Sequence, residues 1–373
     1  MSRFIYQALP TRVLFDVPHR EVIQDEVARL GMKAPLVITG AQQSSLGAAL
    51  GFMHWDGAKM HTPVVETERA LEFFNDRKAD GIISLGGGSA IGLGKALALR
   101  TDAPQICIPT SFAGSEMTNI LGETTATGKA TKRDAKIQPE TVIYDPALLA
   151  SLPPAFAATS GMNAIAHAVE GLYAVDGNPI ISLMAEEAIA ALASALPQGP
   201  SAYKEAFYGA WLCGTILGSA AMALHHKLCH VLGGTFGLPH AETHTVILPH
   251  ATAYNAGAAP EAMIKIQNTL QGPPQSFGQL PQQVEGAHKF TPSHQLAGGG
   301  ARRAEGASAA RGLFDLATTL NAPTSLKQLG LAESALDQAA DIAVANPYPN
   351  PQKLTRDGIR QLLENAFHGH RPD

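Results

Sequence analysis

Six of the fourteen histidines, His225, His226, His230, His240, His244 and His250, fall within 26 residues. A lone histidine is more often a packed or solvated ring than a working one, but this density reads as a polar site. Neutral imidazole binds metal ions, exchanges hydrogen bonds and titrates close to neutrality. Such a cluster can hold a cation, steady developing negative charge or pass a proton. His226 and His230 are four apart and share a helix face, as do Asn163 and His167 in the segment 161–170. Gly237-Leu238-Pro239 is a breaker able to fold His240 back towards both pairs.

Two small-residue segments point to a different chemistry. Ser84-Leu85-Gly86-Gly87-Gly88-Ser89 lies between an apolar run and a helical pattern beginning near Ala90. Glycines let the backbone approach an anion, and a helix start offers unpaired N–H groups and the positive end of its dipole. It is neither a Walker loop nor the Gly-x-Gly-x-x-Gly fingerprint. Pro109-Thr110-Ser111-Phe112-Ala113-Gly114-Ser115-Glu116 follows a second apolar run. Alone, either segment reads as well as plain turn chemistry. Side by side at the carboxyl ends of neighbouring strands, where open α/β sheets place ligands, they suit a long diphosphate.

Positioning these residues requires alternating elements. Helical patterns over 20–30, 66–79 and 90–99 each feed a short apolar run, at 35–39, 81–85 and 105–109. Buried strands separated by amphipathic helices predict a mostly parallel sheet covered on both faces. Residues 4–15 alternate loosely around Pro10 and predict two short strands. After Tyr144-Asp145-Pro146 the chain turns Ala-rich over 155–175, 180–196 and 202–232, which predicts helices. The expected fold is therefore an α/β N-terminal dinucleotide-binding domain over 1–150 and an all-α domain over 151–373. Residues 270–307, rich in Gln, Gly, Pro and Ala, predict an irregular insertion, and Thr355 is placed to cap a last helix over 356–366.

Composition narrows the function. With 27 Lys+Arg against 32 Asp+Glu the net charge is -5, without the basic excess that nucleic acid or an anionic membrane would require. Cys107, Cys213 and Cys229 are too few and too scattered for a disulfide framework, which predicts a reducing cytoplasm. No signal-like apolar stretch opens the chain, and no run of 18 apolar residues occurs.

The glycine segment, Pro109-Thr110 with Gly114-Ser115-Glu116, the stretch 161–170, and His226 to Gly234 continuing through Pro239-His240 occur in an order that resembles the iron-containing, group III alcohol dehydrogenase superfamily. Within it the resemblance is strongest to the maleylacetate reductases. It implies a dehydroquinate synthase-like fold with the active site in the cleft between an α/β and a helical domain. It also implies NADH- or NADPH-dependent reduction of the carbon–carbon double bond of 2-maleylacetate to 3-oxoadipate, in aromatic compound degradation. A metal-dependent alcohol dehydrogenase is the alternative.

By this resemblance Gly86, Gly87, Gly88, Ser89, Thr110, Ser111 and Ser115 bind the coenzyme. Gly40 stands where NAD-specific relatives carry a discriminating Asp, so either coenzyme is expected. The relatives' Asp and three His metal ligands match Asn163, His167, His226 and His240. Because an amide brings no negative charge, the resemblance implies a site working without metal, with those four as fallback ligands. His167, His226 and His240, with Asn163, would then act catalytically, and His230 or His244 are further proton-donor candidates. Lys227, and Arg133 in the segment Gly128 to Arg133 read as a loop, are candidates for binding the substrate carboxylates. A homodimer is expected.

Overall fold

The computed structural model describes residues 3–125, 128–271, 299–346 and 348–373. In chain order it builds β1 (Arg12–Phe15), α1 (His19–Arg29), β2 (Pro35–Ile38), α2 (Ser44–Ala48), β3 (Met53–Trp55), α3 (Val64–Asp76), β4 (Gly81–Gly86), α4 (Gly88–Thr101) and β5 (Gln105–Pro109). A hairpin, β6 (Ile120–Thr125) and β7 (Gly128–Arg133), precedes β8 (Thr141–Tyr144). Then come helices α5 (Pro154–Leu172), α6 (Pro179–Ala195), α7 (Tyr203–Ser219), α8 (Leu224–Phe236), α9 (His240–Asn255), α10 (Pro260–Gln271), α11 (Gly299–Thr319), α12 (Ala335–Ala345) and α13 (Arg356–His368).

The main sheet is parallel throughout, in the order β1-β8-β5-β4-β2-β3. Strands β2, β4, β5 and β8 are buried at every position, because helices cover both faces. Alternation divides their side chains. Val37, Ile83, Leu85, Ile106 and Ile108 pack on one face with Ile23 and Val27 of α1. Leu36, Ile38 and Ile82 pack on the other with Ala70 and Phe74 of α3 and Leu93 and Leu97 of α4. From the end of β2 the chain runs outward to β3, whereas from the end of β4 it runs the other way to β5. This reversal opens a crevice at the carboxyl ends of β2 and β4, the usual ligand position of open α/β sheets.

The helical part shares a core with the sheet: Phe112, Val142 and Tyr144 pack among Met162 and Ile165 of α5 and Phe207 and Cys213 of α7. The span Pro179–Ser219 is long and apolar enough to cross a membrane by length and composition. Gly199, with φ +69°, and Pro200 instead break it into α6 and α7, whose buried faces join this core.

Four expectations are corrected. Residues 4–15 form one strand, not two; before Pro10, Tyr6 and Leu9 touch the helical core while Ile5 is 91% exposed, and among the described residues no strand pairs there. The helix read over 202–232 breaks between Ser219 and Leu224. The Gly128-to-Arg133 segment, read as a loop, is half of the β6–β7 hairpin, whose polar residues carry no apolar signal. Most of the 270–307 segment lies outside the described residues, but its end is helical: α11 already begins at Gly299, carried by the Ala-Arg-Arg-Ala-Glu text that follows.

Candidate active site

At the crevice, Gly86 ends β4, and Gly88 and Ser89 open α4 behind Gly87, with no side chain capping that helix. The first amides of α4 are therefore available to an anion. Next door on β5, the Thr110 amide donates to the Gly86 carbonyl at 3.1 Å. A Cβ on Gly87 would lie 3.1 Å from Ser111 Oγ, so the two small-residue loops touch. Gly40 follows β2 beside Gln43, whose Oε1 also approaches Gly86. On the same edge Asp56, just past β3, accepts a hydrogen bond from Ser44 at 2.9 Å.

The second loop is anchored from beneath by Lys95, which sequence reading missed. Its side chain is fully buried, and its ammonium donates to the carbonyls of Ser115, Thr118 (2.6 Å) and Ile120 (3.1 Å) and to Thr118 Oγ1 (2.9 Å). Burial pushes its pKa down to about 8, against the opposing pull of Cys107 and Glu116. The Phe112 amide donates to Ser160 Oγ of α5 at 3.0 Å, tying the loop to the helical part. Gly114 makes the closest approach: its φ is +76°, and a Cβ there would lie 2.9 Å from Gly214 Cα and 3.6 Å from His167 Nδ1. The coenzyme-side loop thus reaches the histidines.

Those histidines form one continuous group. The ring of His167 lies 5.0 Å from that of His226; His226 lies 5.0 Å from His225 and from His244, and 6.4 Å from His230; His244 lies 4.2 Å from His240. Asn163, His167, His225, His226 and His244 are buried, whereas His230 and His240 are exposed. Burial, reinforced by neighbouring imidazoles, holds His167, His226 and His244 well below the usual histidine pKa, and takes His225 down to about 4. At neutral pH these four rings are uncharged. They can ligate or donate N–H hydrogen bonds, while a titrating proton source belongs at the exposed rim.

Asn163 Oδ1, His167 Nδ1, His226 Nε2 and both nitrogens of His244 are buried without a hydrogen-bond partner. His226 Nδ1 is engaged by Glu170 at 2.6 Å, and His225 Nε2 meets the His244 carbonyl at 3.0 Å. His225, His226 and His244 bring one ligand atom each within 4.8 Å of one another. Three buried imidazoles with ligand atoms this close suit a divalent transition metal. Neither of the two cations read from the sequence bonds to the histidine group among the described contacts. Lys227 turns its Nζ over the Tyr348 ring at 5.7 Å, and Arg133 donates to Asn119 Oδ1 at 3.1 Å and the Gly218 carbonyl at 3.4 Å.

The profile described as iron-containing alcohol dehydrogenase matches residues 10–146, and the Fe-containing alcohol dehydrogenase family C-terminal profile matches residues 157–367. A protein named maleylacetate reductase from Sphingobium indicum is 44% identical, with 99% of each chain covered. Among solved structures, a maleylacetate reductase from Agrobacterium tumefaciens is similar with a TM-score of 0.87 at 44% identity over 100% of both chains. An iron-containing alcohol dehydrogenase from Corynebacterium glutamicum is similar with a TM-score of 0.86 at 35% identity, covering 99% of this chain and 98% of its own.

These findings overturn the expectation of a site without metal. The matching profiles are those of an iron-containing family, and His225, His226 and His244 form a buried group that could hold a metal ion even though Asn163 brings no charge. The fallback set is widened as well, since among the described residues His225 and His244 join His226 in a fully buried group of possible ligands. By both of its matched profiles and by its full-length relatives, this chain belongs to the iron-containing alcohol dehydrogenase family.

Proposed function

We propose that this protein is a maleylacetate reductase that uses NADH or NADPH to saturate the carbon–carbon double bond of 2-maleylacetate, giving 3-oxoadipate. Full-length relatives of that name at 41–44% identity support the reading. The observation that carries it is the meeting of Gly114 with His167, which joins a dinucleotide crevice to a histidine pocket. The reduced nicotinamide supplies the hydride, and a metal, which His225, His226 and His244 would hold, would supply Lewis acidity.

The chain's own residues do the rest. The amides of Gly87, Gly88 and Ser89 at the start of α4 receive the diphosphate, with Thr110, Ser111 and Ser115 alongside. Addition of hydride to the alkene carbon β to the ketone drives charge onto the ketone oxygen. Imidazole N–H groups of the cluster that face the pocket favour that charge; His226, whose Nδ1 faces Glu170, is not one of them. The proton that completes the product comes from the rim, where His230 and His240 are exposed. Of the two candidate cations, Arg133 keeps the substrate-carboxylate role, because it is bonded to Asn119 and Gly218 next to the loop that meets His167. Gly40, with no carboxylate of its own, leaves room for the 2′-phosphate of NADPH. The same reading places the enzyme in the cytoplasm, which suits its three free cysteines, and makes it a homodimer, for which exposed Val175, Ile180 and Leu183 offer apolar surface.

The test is coenzyme oxidation followed at 340 nm with freshly prepared 2-maleylacetate. One coenzyme should be consumed per 3-oxoadipate formed, with both NADH and NADPH. An inert NADPH would remove the Gly40 argument. Oxidation of simple alcohols with no turnover of 2-maleylacetate would replace the proposal by the alcohol dehydrogenase reading.

A further inference from the structure

Glu170 lies one turn beyond His167 on α5, so Asn163, His167 and Glu170 share a helix face. It is fully buried, yet no lysine or arginine pairs with it among the described contacts. Its Oε2 accepts from the Ala223 amide at 2.9 Å and faces His226 Nδ1 at 2.6 Å; its Oε1 accepts from the His225 amide at 2.8 Å. Ala223 precedes α8 and has no side chain able to cap it. The carboxylate of one helix therefore caps the next, in place of a local Ser, Thr or Asp.

The geometry assigns Glu170 as the positioning residue that fixes the tautomer of His226. As a carboxylate it only accepts, so the proton of neutral His226 must stand on Nδ1 and the lone pair on Nε2. Nε2 is the nitrogen left without a partner, and it belongs to the ring packed on His167. The same two oxygens hold the first amides of α8, which sets the rotation of the helix that carries the ring. One side chain thus selects both the direction and the chemical character of the atom presented to the pocket. This inference rests on the reading of the pocket as a metal-assisted reductase site, but it concerns the protein without metal as well.

Glu170→Gln tests it. The amide has one acceptor oxygen instead of two, so either α8 loses an amide partner or an NH2 group faces His226 Nδ1 and reverses the tautomer. Nitrogen-15 NMR of histidine-labelled, metal-free protein, with His226 assigned by its substitution, reads the tautomer directly. In the wild type we expect Nδ1 protonated and Nε2 bare. In the variant we expect that state depleted, and Zn²⁺ affinity, measured by competition with a chelator, reduced by roughly 10- to 100-fold. NADH affinity should stay within about twofold, because the coenzyme crevice is untouched. An unchanged tautomer with unchanged Zn²⁺ affinity overturns the assignment. If the variant does not fold, the wild-type spectrum decides alone, since a proton on Nε2 would overturn it too. Failure of 2-maleylacetate to turn over would instead count against the proposed reaction, leaving the tautomer and zinc readings in force.

Discussion

His226 faces a carboxylate on one side and a ring of uncharged imidazoles on the other. Removing that ring deletes a ligand and leaves Glu170 buried without its side-chain partner. His226→Ala should therefore lower kcat by at least about 100-fold, the usual scale for losing one preorganised group, while the NADH dissociation constant stays within about twofold. Equal losses in both, measured by steady-state kinetics and coenzyme fluorescence titration, would mean that the residue merely supports folding. The histidine density and its i, i+4 pairs were legible in the sequence because helical spacing is local. Glu170 and Lys95 were not. Their partners lie at Ala223 to His226 and at Ser115 to Ile120, and no periodicity links a glutamate to amides 53 residues away. The substitution of Asn163 was visible but misleading: it concerns one ligand, whereas the structure offers several unpaired nitrogens around it.

Elements differ in how much of themselves they announce. Strands β2, β4 and β5 appear as apolar runs because both faces are covered, and the glycines between β4 and α4 mark a turn on sight. The gap between α7 and α8 is silent, since Ala220, Ala221, Met222 and Ala223 are compatible with helix. What breaks the run there is tertiary: Glu170 captures the amides of Ala223 and His225, and Asp176 accepts from the Ala221 amide at 2.9 Å. The β5-to-β6 connection depends on a contact of the same long-range kind. Gly114→Ala must hold a side chain at φ +76° and push its Cβ against Gly214 backbone 2.9 Å away, with no flexible atom to yield. We expect a loss of about 2–4 kcal/mol in urea unfolding together with lower kcat, because the loop beside His167 must shift. Gly234→Ala, in α8 with open space around it, is the control and should gain up to about 1 kcal/mol. A tolerated Gly114→Ala would show that the Gly114–Gly214 contact is loose.

At the scale of the whole molecule, the order of strands, glycine turns and helices was readable because α/β alternation admits few topologies. The irregular insertion read over 270–307 falls mostly on 272–298, which lie outside the described residues. Acid stability is also a whole-molecule property, and the buried histidines set its direction. His250, on α9 and 4% exposed, is pushed down to about 4, first by burial and then by the charge of His370. Because its folded pKa lies below the unfolded value of about 6.5, its contribution is complete above pH 6.5 and is lost as pH falls towards 4. The loss reaches about 3 kcal/mol at the low end. His250→Leu, which cannot titrate, should lose stability less steeply across that window than the wild type in urea titrations at several pH values. Parallel curves would mean that His250 is not buried uncharged.

Lys95 has a mechanical consequence. The helix whose first amides are left uncapped at Gly88 also carries, two turns on, the ammonium that grips the strap from Ser115 to Ile120. The glycine turn at the end of β4 and the posture of the strap that runs on from Gly114, beside His167, are thereby geared to one rigid lever.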